Sequence, residues 1–443
     1  MQNQAIHCDI LLSDVRYLAP DMTIVSGKSI AVSGGHILDI VDAGDQTYQA
    51  GTVLPGKHLL WMPGLVDGHT HTSQQLLRGR LLDEKPVIWK RVNVPFESRL
   101  DPEMSRLSAE LAAMEMISCG TTGFVDAGGK YPEVFAEVYQ RSGLRGRLSV
   151  MTNDSPHAPE SLRALSVPEA VARLRAMKGA LSGGRLKPIY SVTTPTAVSE
   201  ELLRTVFEAA AEDGVPVETH MNEYASEVTE FIERYGLRPF AWLEREGLLS
   251  ASMTAPHCIF LDQEEIEILA RRRVRVAHCP FSNCGKGVPP TPQLLRAGVS
   301  VGFGTDGTAH GGVDLFREMR LFRGVMNVTR GIAEANSSVM PAETLLRMAT
   351  QGGAAALFEP GLGAVTPGAP ADLIAVDTDA PHLWPTQNLV HTLVESAGGA
   401  DVRHSIVDGT LVMKDRELLT LDRERIRREA ELLFEKNPWL CRW

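Results

Sequence analysis

The middle of the chain repeats a strand–helix rhythm, and this limits the fold more than any other feature. SEELLRTVFEAAAEDG (199–214) reads as an amphipathic helix and VPVETHMNE (215–223) as the short apolar strand after it. PFAWLEREG and MTAPHCIF then repeat the alternation. Such alternation predicts a parallel sheet, and its length and number of units suit a closed barrel better than an open sheet.

The two ends differ from this middle. Residues 8–44, CDILLSDVRYLAPDMTIVSGKSIAVSGGHILDIVDAG, offer short β-rich runs broken by Gly, Asp and Pro. GAPADLIAVDT (368–378) and VRHSIVDGTLVMKD (402–415) return to that pattern, with a hairpin-like turn at Asp408-Gly409. The expectation is a distorted α/β (β/α)8 TIM barrel over 63–364 and a small β-sandwich built by both termini, 1–62 and 365–443.

Composition removes several classes of function. A chain of 443 residues, 44% hydrophobic and 22% charged, is globular and long enough for one large catalytic domain with an appendage. Its net charge of −11 argues against the basic surface that nucleic acid or anionic lipid requires. The six cysteines are scattered, unlike a secreted disulfide framework, and read as reduced thiols. MQNQAIHCDILL lacks the charged and apolar regions of a signal peptide, and no apolar run approaches the ~18 residues of a membrane span. A cytoplasmic protein is expected, with a homodimer as the default assembly.

In a barrel of this kind the strand C-terminal ends carry the chemistry. The candidate ends are LVDGHTH (65–71), TTGFVDA (121–127), PVETHMNE (216–223), MTAPHC (253–258), RVRVAHCP (273–280) and VSVGFGTDG (299–307). His69 and His71 are two apart, so an extended backbone points both imidazoles to one side. His220 and His257 add two nitrogens and Asp306 an oxygen, a donor set suited to Zn²⁺ or Fe²⁺ rather than Mg²⁺. A catalytic metal must also leave room for water and lower its pKa towards about 7. Glu223, three residues past His220, and His278, at the next strand end, could move protons there. Asp126 is the weaker candidate on the second strand.

Singly, each residue has an ordinary reading: a loop His-x-His, a hydrogen-bonded core histidine at 257 or 278, a turn aspartate at 306 among glycines. Together, four histidines and an aspartate at successive strand ends favour a metal centre. His310 is left undecided, and Cys279 and Cys284 read as ordinary thiols because their spacing is not Cys-x-x-Cys.

PGLVDGHTHTSQQLLRG, THMNE, APHC, VAHCPFSN and GFGTDG, in this order and with the closing GAPADLIAVD, resemble the amidohydrolase superfamily, in its branch of aminohydrolases and chlorohydrolases acting on N-heterocycles. The resemblance covers nearly the whole chain. It implies one divalent metal, zinc before iron, held by His69, His71, His220, His257 and Asp306, with Glu223 and His278 as the proton-shuttling pair. The implied reaction is hydrolytic deamination: activated water, oriented by His278 and Asp306, attacks the ring carbon bearing an amine while Glu223 protonates the adjacent ring nitrogen. The cytidine-deaminase design, His-x-Glu with Pro-Cys-x-x-Cys, is absent.

Within the branch the chain is most similar to the S-adenosylhomocysteine/5′-methylthioadenosine deaminases. That similarity implies substrate contacts from Trp89 and Glu97, the Glu accepting hydrogen bonds from ribose hydroxyls, and places Thr193 and Asn283 beside the substrate. The family's His-Ser-Pro step reads Thr193-Thr194-Pro195 here, and MTNDSPHAPESL offers no basic residue for an amino-acid tail, with Arg163 alone following soon after. The expected partner is therefore a small aminated purine, pterin or pyrimidine, or a nucleoside without a charged tail. Two rivals are a hydrolase of the same fold that expels halide or alkylamine from an s-triazine, and a barrel without catalysis. Glu223 favours deamination over the first, and the complete ligand set disfavours the second.

Overall fold

Strands from both ends of the chain pair with one another. The computed structural model describes residues 5–164, 166–181 and 183–441. In it Leu59–Pro63 lies between Ile6–Leu18 and Leu373–Asp377, joining the N-terminal and C-terminal segments in one nine-stranded sheet. One edge continues through Val402–Val407, Thr410–Lys414 and Glu417–Leu418, the other through Ile24–Ser33 and His36–Asp42. Trp61, Leu12, Ile30, Leu373 and Ile406 form an apolar cluster of their own there. The Asp408-Gly409 turn is present: both residues take positive φ (50° and 70°), as a tight hairpin between Val402–Val407 and Thr410–Lys414 requires.

The chain enters the barrel at Gly64. A side chain there would meet the Thr122 side chain at 2.0 Å, so only glycine lets the first barrel strand lie against the second. Two five-stranded parallel sheets make up the barrel. One holds Leu65–His71, Thr121–Gly129, Arg145–Val150 and Leu186–Pro188, with Asp306–Gly307 beside the first of these. The other holds Tyr190–Val192, Val217–Thr219, Met253–Pro256, Arg275–His278 and Val301–Phe303. The sheets share two interrupted strands. Leu186–Pro188 runs on as Tyr190–Val192, and Val301–Phe303 as Asp306–Gly307. Counting each interrupted strand once gives the eight strands of a closed barrel, as the sequence rhythm predicts.

Closure depends on the second interruption. Gly304 N–H donates to His278 O (2.7 Å) and Thr305 N–H to His69 O (3.0 Å), so the eighth strand bridges the seventh and the first. Asp67 fixes the same seam, accepting from the backbone N–H of His69 and Thr305 and from Thr305 Oγ1 at 2.6 Å.

Helices cover the barrel and begin and end on local signals. Glu200–Asp213 starts at Ser199, whose hydroxyl accepts from Leu202 N–H, and stops at Gly214 in the left-handed region. Asp262 caps Gln263–Arg272 in the same way. The C-terminal helix Arg423–Lys436 packs on Pro102–Ser118 rather than on the terminal sheet, held by Arg106 and Arg425 bridging Glu110 and Glu429. Beyond it Leu440 joins an apolar cluster with Phe96, Leu77 and Val92 that backs the loop after the first barrel strand.

Candidate active site

The five expected ligands arrive at the barrel mouth from four strand ends. His69 and His71 end the first strand, and Thr70 between them pairs with Asp306. His220 follows Val217–Thr219, and His257 follows Met253–Pro256. His257 and Asp306 take positive φ (69° and 59°), a conformation costing non-glycine residues of order 1 kcal/mol or more and characteristic of functional sites.

These residues converge. Ligand atoms of His69, His220, His257 and Asp306 all lie within 4.8 Å of one another, and all four residues are buried. His71 belongs to the group, its Nε2 standing 3.2 Å from His220 Nε2 and 3.3 Å from Asp306 Oδ1. His69 Nε2 and His257 Nε2 are buried without a hydrogen-bond partner. Buried polar nitrogens left unpaired side by side are costly unless something else satisfies them. A divalent cation does so, and the nitrogen and carboxylate donors are those zinc prefers.

Neighbouring groups fix the tautomers. His220 Nδ1 contacts the Thr193 backbone oxygen, and His257 Nδ1 lies 2.9 Å from Asn283 Oδ1, which leaves each Nε2 for the cluster. Burial pushes the pKa of both imidazoles well below the usual histidine value and so keeps them neutral, as ligands must be. Burial likewise opposes the Asp306 carboxylate, but the Lys286 ammonium and then His69 and His71 offset it and hold that pKa well below the usual range. His278 Nδ1 lies 2.9 Å from His257 O, its Nε2 has no partner, and burial pushes its pKa down to about 4. It is thus a neutral base with its acceptor nitrogen free.

A cavity opens over the cluster. Glu223, Trp89, Glu97 and Thr193 line it together with His71, His220 and Asp306. His310 also lines it. Glu97 is 3% exposed; its Oε1 accepts from Ser73 Oγ (2.7 Å) and Gln74 Nε2 (3.0 Å), and burial raises its pKa. Met151, Ala158 and Leu162 form an apolar part of the wall. Thr193 reaches the cavity, although its hydroxyl donates to Thr152 O at 3.0 Å.

Other sequence candidates lie elsewhere. Asn283, expected beside the substrate, is not on the cavity wall; it stands behind His257, because the turn after His278 folds it back onto that ring. Arg163 is also off the wall, with Nη1 3.5 Å from Pro156 O. Asp126 supports the turn after His71, accepting from Thr72 N–H and Gly128 N–H. Cys279 is buried and Cys284 exposed, both free.

Two charged residues escaped the sequence reading. Lys286 is the one lysine or arginine among the described residues on the cavity wall. Its Nζ lies 2.6 Å from Glu223 Oε1 and 3.5 Å from Asp306 Oδ2, and donates to Ser282 Oγ at 2.6 Å. Glu218 lies two residues before His220, with Oε2 3.3 Å from His69 Nδ1. The alternation of an extended strand was a signal for Glu218, whereas a loop lysine gave none.

With this geometry in view, comparison with known proteins places the chain. The sequence pattern of the amidohydrolase family matches residues 60–412, and the chain belongs to that family. It is 35% identical over 429 residues to a 5-methylthioadenosine/S-adenosylhomocysteine deaminase of Haloarcula marismortui, covering 95% of this chain and 96% of the relative. It is 34% identical to a 5′-deoxyadenosine deaminase of Methanosarcina mazei, covering 97% and 98%. A crystal structure of an adenosine deaminase from Xanthomonas campestris with bound zinc superposes with a TM-score of 0.90 at 28% identity, covering 98% of this chain and 99% of that one. Metal-dependent hydrolytic deamination of an aminated heterocycle is the chemistry consistent with these relatives and with the cluster.

Proposed function

We propose that the protein is a zinc-dependent deaminase of an adenosine-type nucleoside whose 5′ position carries no charged group, releasing ammonia. The observation that carries the substrate reading is Glu97. Its Oε1 is occupied by Ser73 and Gln74, which leaves Oε2, on a cavity wall shared with Trp89, to accept from sugar hydroxyls. Met151, Ala158 and Leu162 suit an apolar 5′ substituent, and Lys286, the one lysine or arginine among the described residues of the wall, is paired with Glu223. Relatives named as 5-methylthioadenosine/S-adenosylhomocysteine and 5′-deoxyadenosine deaminases support an adenosine-type nucleoside, while the exclusion of a charged 5′ group rests on the cavity wall.

His69, His71, His220, His257 and Asp306 would hold the zinc, which when bound polarises water and makes it a nucleophile near neutral pH. The remaining work falls to the protein. His278, its Nδ1–H directed at His257 O, presents Nε2 to accept a proton as water adds to the ring carbon bearing the amine. Glu223, a carboxylate with Oε1 anchored by Lys286, takes the other proton of the water and passes it to the neighbouring ring nitrogen, so that negative charge does not accumulate there. His278 then returns the proton it accepted to the departing amine, ammonia leaves, and the ring carbon retains the water oxygen as a carbonyl. Asn283 acts behind this line, holding His257 in its tautomer.

The same reading assigns catalysis to a barrel of residues 63–364 and treats 1–62 with 365–443 as a β-sandwich appendage. It places the enzyme in the cytoplasm as a homo-oligomer without nucleic-acid or membrane partners. No helix among the described residues is long and apolar enough to cross a membrane.

The test is an ammonia-release screen of the zinc-loaded protein against 5′-methylthioadenosine, 5′-deoxyadenosine, S-adenosylhomocysteine, free adenine and a pterin, with chloride release from a chloro-s-triazine in parallel. The two neutral nucleosides are expected to give the highest kcat/KM. Preference for a free base or for S-adenosylhomocysteine overturns the substrate assignment, and chloride release without ammonia release overturns the deaminase reading.

A further inference from the structure

The fifth barrel strand, Val217–Thr219, and the histidine that follows it place two functional groups on one side. Side chains two apart on extended backbone point the same way, so Glu218 and His220 both face the barrel interior. Glu218 is fully buried, and neither of its carboxylate oxygens takes a hydrogen bond. Its Oε2 faces His69 Nδ1 at 3.3 Å, an ion-pair separation rather than an aligned hydrogen bond, and His69 is itself fully buried. On the other side of that ring, Nε2 faces Asp306 Oδ1 at 3.6 Å. A carboxylate sealed from water is strongly unfavourable unless a donor or cation faces it, and the only polar group this one faces among the described residues is His69 Nδ1, so packing alone does not account for a glutamate at this position.

We infer that Glu218 is a positioning residue for the metal centre, acting through His69. This rests on the reading of the histidine–aspartate cluster as a zinc site. A carboxylate beside Nδ1 keeps the proton on that nitrogen, which leaves the Nε2 lone pair for the metal and fixes the plane of the ring. It also balances charge. A divalent ion with neutral histidines and one aspartate leaves a net positive charge in a buried site, while Glu223 and Lys286 already cancel one another. Glu218 supplies the missing negative charge without occupying a coordination position, so the open position needed for water is kept. Asp67, the other buried carboxylate beside His69, is turned to the backbone N–H groups of His69 and Thr305 and the Thr305 hydroxyl, whereas Glu218 faces the His69 ring itself and is not on the cavity's wall.

The test is zinc affinity, measured by competition with a chromophoric chelator on metal-free protein, for wild type, Glu218→Gln and Glu218→Asp. Glu218→Gln keeps the shape and removes the charge. It is expected to weaken zinc binding about 10- to 100-fold, while the metal-free variant stays folded, because the isosteric amide still faces His69 Nδ1. Glu218→Asp keeps the charge but withdraws it from Nδ1, and its affinity is expected between the other two. Wild-type affinity in both variants overturns the role of Glu218 and leaves the zinc site intact. A wild-type protein that takes up no stoichiometric metal overturns the zinc site and this inference with it. A metal-free Glu218→Gln that is strongly destabilised while binding zinc as tightly as wild type assigns Glu218 to structure alone.

Discussion

Replacing Glu97 by glutamine should separate recognition of a sugar from chemistry on the ring. Glu97 is almost fully buried, and Ser73 Oγ and Gln74 Nε2 both donate to its Oε1, so Oε2 is the oxygen available to a ligand. Glutamine keeps the volume but loses the charge, and it must place either a weaker acceptor or an N–H donor where the hydroxyl binds. A hydrogen bond to a charged group contributes about 1.5–3 kcal/mol. Allowing for the residual neutral bond, a loss near 2 kcal/mol is expected, about 30-fold in kcat/KM at a factor of ten per ~1.4 kcal/mol. Free adenine has no hydroxyl to lose, so its kcat/KM should change by less than about threefold, well under that 2 kcal/mol. Initial rates of ammonia release on 5′-deoxyadenosine and on adenine, for both proteins, supply the comparison. An equal fall on the two substrates would show that Glu97 supports the site through Ser73 and Gln74 and does not contact a sugar.

Four further outcomes follow from the geometry. His257→Ala, which removes a buried ligand and leaves Asn283 Oδ1 unpaired, should reduce bound zinc well below one equivalent by elemental analysis; full stoichiometry would exclude His257 from the metal site. Lys286→Met should lower the melting temperature of metal-free protein, since breaking a buried ion pair costs about 3–5 kcal/mol, and should lower it less when zinc supplies positive charge beside Asp306; identical losses in the two states would show that the pairing with Glu223 and Asp306 is not the cause. His278 has a folded pKa of about 4, below its unfolded value near 6.5. The unfolded chain therefore binds the proton first, and metal-free protein should lose stability as pH falls from about 6.5 to about 4, by about 3 kcal/mol from this residue; His278→Gln should flatten that limb in chemical denaturation. Trp439 packs on Phe96 and lies 3.7 Å from the Arg99 guanidinium, next to the helix Val94–Ser98 that carries Glu97. Trp439→Ala should raise KM for the nucleoside while kcat holds, with about 1 kcal/mol of stability lost from the cation–π contact; a fall in kcat alone would argue against this support of the substrate side.

Most of the candidate metal site is legible in the sequence because strand chemistry is local. His69 and His71 share a face by the period of an extended chain, and His220, His257 and Asp306 each stand where an apolar run ends, the position that a barrel turns towards its mouth. The Asp408-Gly409 hairpin was legible for the same reason, since the two positive φ angles are a property of the dipeptide. Asn283 was misplaced because it follows His278 in a loop, and sequence does not say whether such a loop turns its side chain to the cavity or back onto His257.

The sequence by itself thus determined the alternation of strand and helix, the faces of its strands and which histidines and aspartate stand at strand ends, all of which follow from backbone periodicity over a few residues. Only the tertiary structure decided which charges lie inside. Lys286 would ordinarily be a solvated loop lysine and Glu218 one more acid in a charged chain, until barrel closure carried the first onto Glu223 and Asp306 and sealed the second behind His69. Burial and the approach of opposite charge are set by contacts between distant parts of the chain; strand alternation puts Glu218 on the face of His220, but neither its partner His69 nor the burial of Lys286 follows from any local pattern.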